Sequence, residues 1–338
     1  HGGSRTIVKS ANALTELGHD VYVFSHTKNQ FTWDDLNALH IPERPQDPNK
    51  IKFPEVDVII ATACTTAFHT YDLSLKQKAF GAYWVRGIEI WSKPFEYLCK
   101  TYNLPLFLMV NSEWQRDYIK ENTNREQVHL QYPGLEIDFF TPGDKTWPEC
   151  LLSNKKEIRI GGLYHKAEHK GSADWQRVVD TMKSAYNIKT CVLTNMTFKE
   201  NPFDEVCIHP TEEEKRNFYR KCDLWLATTH LDGLHLPPME AGLCGVPLIA
   251  NGERTAGMTD HATHNLTAFV YRSQYHLYEA IELVQKLIMD TTYLGQHLNI
   301  NHRDLLKTKM GSREDQMRKM TKLFEEMIEI GGKNGSEN

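Results

Sequence analysis

The chain has 338 residues, beyond the roughly 250–300 at which a single hydrophobic core stops growing, so two domains are expected. It is 40% apolar and 25% charged, an ordinary globular composition, and no apolar run approaches the ~18–20 residues of a membrane span. A net charge of −5 argues against a dominant nucleic-acid face, though it does not exclude a local basic groove. Seven cysteines are dispersed without CxxC spacing and sixteen histidines include no HExxH, so reduced thiols and no metal site are expected. With no signal peptide, the expected location is cytoplasmic.

The opening "HGGSRTIVKSANALTELGHDVYVFS" has two glycines, then Ile7, Ala11 and Leu14 at helical spacing. Ser4 is the expected N-cap and Gly18 the expected stop, with a strand at Val21 to Phe24. In an α/β protein a strand precedes such a Gly-Gly turn, so the sequence is expected to start inside its domain. "VDVIIATA" (Val56 to Ala63) suits a parallel strand buried on both faces. Gly81 to Trp91 reads as a strand leaving into a loop. "PLFLMVNSEWQRDYIKE" reads as strand, Ser112 cap and helix, and "VHLQYPGLEIDFFTPGD" as a short strand with a Pro/Gly turn. Lys145 to Lys156 is polar and reads as a linker.

The second half repeats the pattern. A strand is expected at Ile158 to Gly161, then the loop "GLYHKAEHKGS" and a helix from about Ala173. "TCVLT", "VCIHP", "LWLATT" and "VPLIAN" are further strands with helices between them. "TEEEKRNFYRKC" is a helix whose acids and bases follow its dipole. Tyr275 to Ile330 reads as helical and "GGKNGSEN" as disordered. Two such halves place a cleft between them, and ligands of open α/β sheets bind at the carboxyl ends of strands.

The stretch "LDGLHLPPMEAGLCGVPLIAN" (Leu231 to Asn251) leaves one of those strand ends. Asp232 lies in the loop, prolines open the next helix, and Glu240 follows within it. Gly233 to Leu236 can aim backbone N–H groups at phosphate, while the two acids accept from sugar or ribose hydroxyls. On spacing alone, an ordinary helix start with two solvated acids is the simpler reading.

That stretch resembles the EGFGLPPLEAMACGTPVI signature of retaining family 4 glycosyltransferases. Glu240, Gly233, Leu236, Pro237, Pro238, Ala241, Cys244, Gly245 and Pro247 fall in register, while Asp232 replaces a Glu and His235 a Gly. "HGGSRTIVKSANALTELGHDVYVFS" resembles the family's GG-loop and helix. "YPGLEIDFFTPGD" is similar to its PNGVDxxxFxP segment, through Gly134, Asp138, Phe140 and Pro142. "GGLYHKAEHKGSADW" is similar to its GRLxxxKG loop, through Lys170 and Gly171. The arginine of that loop is missing: Gly162 stands near its place, with Lys166 or His165 as substitutes. "NGERTAGMTDH" resembles a Gly-Gly-x-x-Glu loop, whose Ala256, Gly257 and Met258 offer N–H groups. "AYWVRGIEIW" is similar to the YFVQDxE stretch of bacterial rhamnosyltransferases in the family.

The resemblance implies a GT-B fold: two Rossmann-like domains facing a cleft, residues 1–145 for the acceptor, 155–311 for the donor, and a helix over 312–330 crossing back onto the first. It implies retaining, metal-independent sugar transfer from a UDP-, GDP- or TDP-linked donor, with no cofactor. The implied acceptor is a saccharide, glycan or small molecule; a nucleobase in DNA finds no support in the charge, and nothing indicates firm membrane docking. Asp232, Lys170, Arg86 and Glu89 are the implied catalytic residues. Gly2, Gly3, Lys166, Lys170, Gly233, Leu234, His235, Leu236 and Glu240 are the implied donor contacts. A GT-B-like sugar-nucleotide epimerase or hydrolase, and a non-catalytic nucleotide-sugar-binding subunit, are the alternatives.

Overall fold

The computed structural model of the protein describes residues 2–25, 35–41, 53–144 and 152–335. Chain contacts divide it into two units, one reaching to Gly134 and resuming at Ser312, the other spanning Leu135–Gly311.

The first unit starts with helix α1 (Gly2–Glu16) and reaches strand β1 (Tyr22–Phe24), paired in parallel with β2 (Leu39–Ile41). The helix begins ahead of Ser4, so Gly2 and Gly3 are its first turn rather than a loop before it. A four-stranded parallel sheet follows in chain order: β3 (Val58–Ala61), β4 (Phe80–Val85), β5 (Phe107–Val110) and β6 (His129–Leu130). Parallel neighbours need crossovers, and α2 (Cys64–Gln77), α3 (Phe95–Tyr102) and α4 (Glu113–Asn122) supply them. β5 is apolar at every position because it is buried on both faces. Ser112 takes the N-cap position of α4, but its hydroxyl donates to Gln115 Oε1 at 3.0 Å instead of accepting a backbone N–H.

The second unit is a six-stranded parallel sheet in the order β12-β11-β10-β7-β8-β9. Its strands are β7 (Ile158–Tyr164), β8 (Ile188–Thr194), β9 (Glu205–Ile208), β10 (Leu224–Ala227), β11 (Leu248–Asn251) and β12 (Phe269–Tyr271). Helices α5 (Ser172–Lys183), α6 (Glu212–Lys221), α7 (Leu236–Leu243), α8 (Leu277–Ile288) and α9 (Leu294–Leu305) complete it. The strand order reverses between β7 and β10. Such a switch point opens a crevice outside the carboxyl ends of the two strands, where ligands of doubly wound sheets bind. β7 runs three residues past the expected Gly161, paired with β8 as far as Tyr164, and its two glycines clear space for buried indoles: Gly161 for Trp225 and Gly162 for Trp175. A Cβ on Gly162 would lie 2.0 Å from Trp175 Nε1.

Of the expected linker, residues 145–151 lie outside the described residues, and Leu152–Asn154 form a short 3-10 turn with Leu152 buried. The expected helical tail is α8, α9, a π-helical turn at Leu306–Met310 and, after Gly311, α10 (Arg313–Gly335). α10 belongs to the first unit, where Met317, Met320 and Phe324 pack with Ala13, Trp84 and Met109. Arg313 Nη1 donates to Pro133 O at 2.9 Å, and Gly134, at φ +72°, would bring a Cβ within 2.4 Å of Arg313 Cα. The helix extends to Gly335, into the tail expected to be disordered. Among the described residues no helix is long and apolar enough to cross a membrane.

Gly162→Ala is expected to lower stability by about 1–3 kcal/mol through overpacking against Trp175. A urea melt checks this, and an unchanged midpoint would contradict the packing role.

Candidate active site

The loop after β7 and the loop after β10 meet at the switch point, and one glycine decides how closely. Gly171 lies at φ +68°, and a Cβ there would sit 1.9 Å from Thr228 O, so only glycine fits. Thr228 Oγ1 donates to Gly171 O at 2.8 Å, and His230 N donates to His169 O at 2.8 Å. These bonds set the neighbouring Lys170 beside Asp232: Nζ lies 2.7 Å from Oδ2 and 3.4 Å from Leu231 O. Both side chains keep partial access to solvent, 19% and 25%. Burial pushes the Asp232 carboxyl up, but the Lys170 ammonium outweighs it and holds the group below its ordinary value.

Asp232 also shapes its own loop. Its Oδ1 accepts from Gly233 N at 2.9 Å, its N–H donates to Thr255 O at 2.9 Å, and His235 N donates to Gly257 O at 3.1 Å. Two of the N–H groups expected to face a phosphate, those of Gly233 and His235, are therefore used inside the protein. Pro237 and Pro238, in the first turn of α7, have none to offer. Ala256 N is likewise taken, by Glu253 O at 2.9 Å.

Glu240 lies one turn into α7. Lys215 Nζ is 2.9 Å from its Oε1, and Tyr219 donates its hydroxyl to Oε2 at 2.7 Å. A third acid is also matched: His230 Nε2 lies 2.6 Å from Asp174 Oδ2. Behind the loop lies a cluster of imidazoles. His235, His261 and His302 are buried, and His261 Nδ1 and His302 Nε2 share a hydrogen bond at 2.9 Å. His235 finds no hydrogen-bond partner for either ring nitrogen among the described residues.

The second unit thus brings together Lys170, Asp232, Gly233, Leu234, His235, Leu236 and Glu240 of the expected set, with Lys166 exposed on the same loop. His165 does not replace the missing arginine's charge, because burial and the Lys170 ammonium push its pKa down. Nor can Gly162 mark an arginine's place, since Trp175 fills that space. The first unit holds the remaining four residues. Arg86 donates to the Gly3 carbonyl within the helix that Gly2 begins. Glu89 Oε2 accepts from Cys64 N at 2.6 Å, where α2 starts. Burial, then Glu89, pushes the Cys64 thiol up to about 12 and keeps it neutral. Sequence reading missed Lys215, Tyr219, His230 and Asp174; the one available signal was a lysine inside the acidic first turn of "TEEEKRNFY".

No protein-family model matches the chain, and no curated protein matches its sequence. Solved structures do match. A glycosyltransferase from Rickettsia africae aligns with a TM-score of 0.77 at 15% identity, over 96% of this chain and 94% of that one. Sucrose-phosphate synthase from Thermosynechococcus elongatus aligns at 0.76 and 14% identity, over 95% and 92%. HepE from Anabaena, solved in complex with UDP-glucose, aligns at 0.64 and 15% identity, over 80% and 79%. The likeness is one of fold, and it places the chain among proteins of the GT-B architecture, α/β throughout with parallel sheets.

The imidazole cluster makes a pH prediction. Burial depresses His235 to about 4, against the pull of Asp232, and His302 to about 3. Burial, then His302, holds His261 well below its usual value. Below about pH 6.5 the unfolded chain binds these protons first, so their contribution is intact above that pH and is lost as pH falls towards 4. Unfolding free energy is expected to drop between pH 7 and pH 5 by on the order of 2 kcal/mol per imidazole. Urea titrations across that range check it, and a flat profile would contradict the burial of neutral rings.

Proposed function

We propose that the chain is a glycosyltransferase that moves a sugar from a nucleoside-diphosphate donor to an acceptor hydroxyl, with retention and without a metal. The observation that carries this reading is the Lys170–Asp232 pair, set by Gly171 at the switch point of the GT-B second unit. A carboxylate and an ammonium paired while both keep access to solvent can exchange partners with an incoming ligand. A diphosphate takes the Lys170 charge, and Asp232, released from it, accepts from donor-sugar hydroxyls. Glu240 serves the ribose, while Lys166 and the loop Gly233–Leu236 line the donor. Gly2, Gly3, Arg86 and Glu89 serve the reaction from the first unit. The donor is a UDP-, GDP- or TDP-linked sugar, and the acceptor a saccharide, glycan or small molecule. The neighbour HepE, solved with UDP-glucose, supports the donor class.

Retention follows from a same-face route in which the departing diphosphate helps remove the acceptor proton. The protein's part is positioning and charge stabilisation. Lys170 neutralises the leaving group, as a divalent cation does elsewhere. Because Asp232 competes for the same ammonium, the donor must outbid it, and its two negative phosphates supply the larger charge.

One observation favours a second reading, a nucleotide-sugar-binding subunit without turnover. Trp175 fills the space beside Gly162, where the resemblance would set an arginine, and Lys170 is already paired.

Lys170→Ala is expected to lower kcat by about 10²–10³ through loss of leaving-group stabilisation, with the melting temperature of the free protein little changed. Activity should persist in excess EDTA. A thermal-shift screen of UDP-, GDP- and TDP-sugars should stabilise the chain by about 2.7 kcal/mol at 100 times the dissociation constant of the true donor. Binding without turnover on any acceptor would favour the second reading, and no stabilisation by any donor would overturn both.

A further inference from the structure

Glu240 is the acid that the proposed function gives to the donor's ribose, and α6 holds its carboxylate by both oxygens. Lys215 and Tyr219 stand one helical turn apart on α6, so both reach towards α7 from the same face. Lys215 Nζ contacts Oε1 at 2.9 Å and is held a second time by Glu212 at 3.0 Å. Tyr219 contacts Oε2 at 2.7 Å, and its buried ring stands edge-on to Phe140 and Trp225, at 6.0 and 5.2 Å between centroids. Lys215 lies 5.2 Å from the Phe140 ring, which supports its ammonium from a third side. Its side chain is only 9% exposed. A lysine that deep is costly unless its charge has work to do, and an apolar side chain would pack this corner at less cost.

A carboxylate has about four acceptor positions. Lys215 and Tyr219 take one on each oxygen, which leaves one on each, and the Glu240 side chain keeps 12% exposure. Two open positions on neighbouring oxygens match a pair of vicinal hydroxyls. We infer that Lys215 and Tyr219 are positioning residues that lock the Glu240 carboxylate to receive the 2′- and 3′-hydroxyls of a ribonucleotide. The inference rests on the nucleotide-sugar reading of the site and narrows it to ribonucleoside donors, UDP- or GDP-linked, over deoxythymidine-linked ones. Both donors hold their protons. Burial, then Glu240, pushes the Tyr219 phenol well up, and for Lys215 burial is outweighed by Glu240 and Glu212. A carboxylate fixed before the donor arrives loses no rotamer freedom on binding.

The test compares binding of UDP and 2′,3′-dideoxy-UDP by calorimetry, or the GDP pair if guanosine binds tighter, in the wild type, Tyr219→Phe and Lys215→Met. The wild type should favour the ribonucleotide by at least about tenfold. In the variants that ratio should shrink at least threefold, with dideoxy affinity unchanged and donor KM raised more than kcat is lowered. Tyr219→Phe removes a single hydroxyl, so it carries the test if Lys215→Met fails to fold. A folded Tyr219→Phe that keeps the full ratio, or weakens both nucleotides equally, overturns the inference. So does a wild type that binds UDP or GDP without distinguishing the ribose. A wild type that binds neither nucleotide overturns the reading of the site and this inference with it.

Discussion

The α-carbon of Gly171 lies against the carbonyl of Thr228, and the rest of the second unit's chemistry is arranged around that contact. A methyl group on Gly171 would sit 1.9 Å from the Thr228 oxygen, closer than any real packing. The approach is possible because β7 and β10 are neighbours at the point where strand order reverses, so their exit loops emerge side by side. It is fixed by the hydrogen bonds of Thr228 and His230 to the loop backbone. Lys170 is then carried to Asp232 by the backbone itself, not by the chance reach of a flexible side chain.

The site that results is charge-dense yet balanced. Lys170 faces Asp232, Lys215 faces Glu240, and His230 faces Asp174. Partly buried pairs of this kind add little net stability, since desolvation offsets most of the attraction. Their concentration at the carboxyl ends of one sheet is therefore poorly explained by folding alone. The two lysine pairs differ in kind. Lys170 and Asp232 are each about a fifth to a quarter exposed and open to exchange, whereas Lys215 is enclosed by two acids and an aromatic ring. An incoming diphosphate can separate the first pair; the second pair is built to stay as it is.

The alternation of apolar runs with amphipathic helices made both α/β halves legible, and Lys170, Asp232 and Glu240 stood out through the resemblance, since spacing alone favoured an ordinary helix start. What stayed hidden depended on packing. The FVY strand β12 is three residues long, too short to show a period. Gly162 read as the start of a loop, but it is a strand residue cleared for Trp175, a contact with a helix that no local pattern reports. Ser112 was correctly placed at a helix start, while its hydroxyl chose the Gln115 side chain. The loop Gly233–Leu236 read as a cradle of free N–H groups, yet the Asp232 carboxylate and the Gly257 carbonyl had already used some of them. Lys215 and Tyr219 resembled ordinary helix residues, because their partner Glu240 lies on a different helix.

The central claim is that the Lys170–Asp232 pair opens to receive the diphosphate of a nucleotide donor. Titration calorimetry of UDP and GDP into wild type and Lys170→Ala tests it most directly. The account predicts that the wild type binds one of them and that Lys170→Ala weakens it at least tenfold, by a factor that shrinks as salt is raised. Equal affinity in the two proteins, or an effect indifferent to salt, would contradict it.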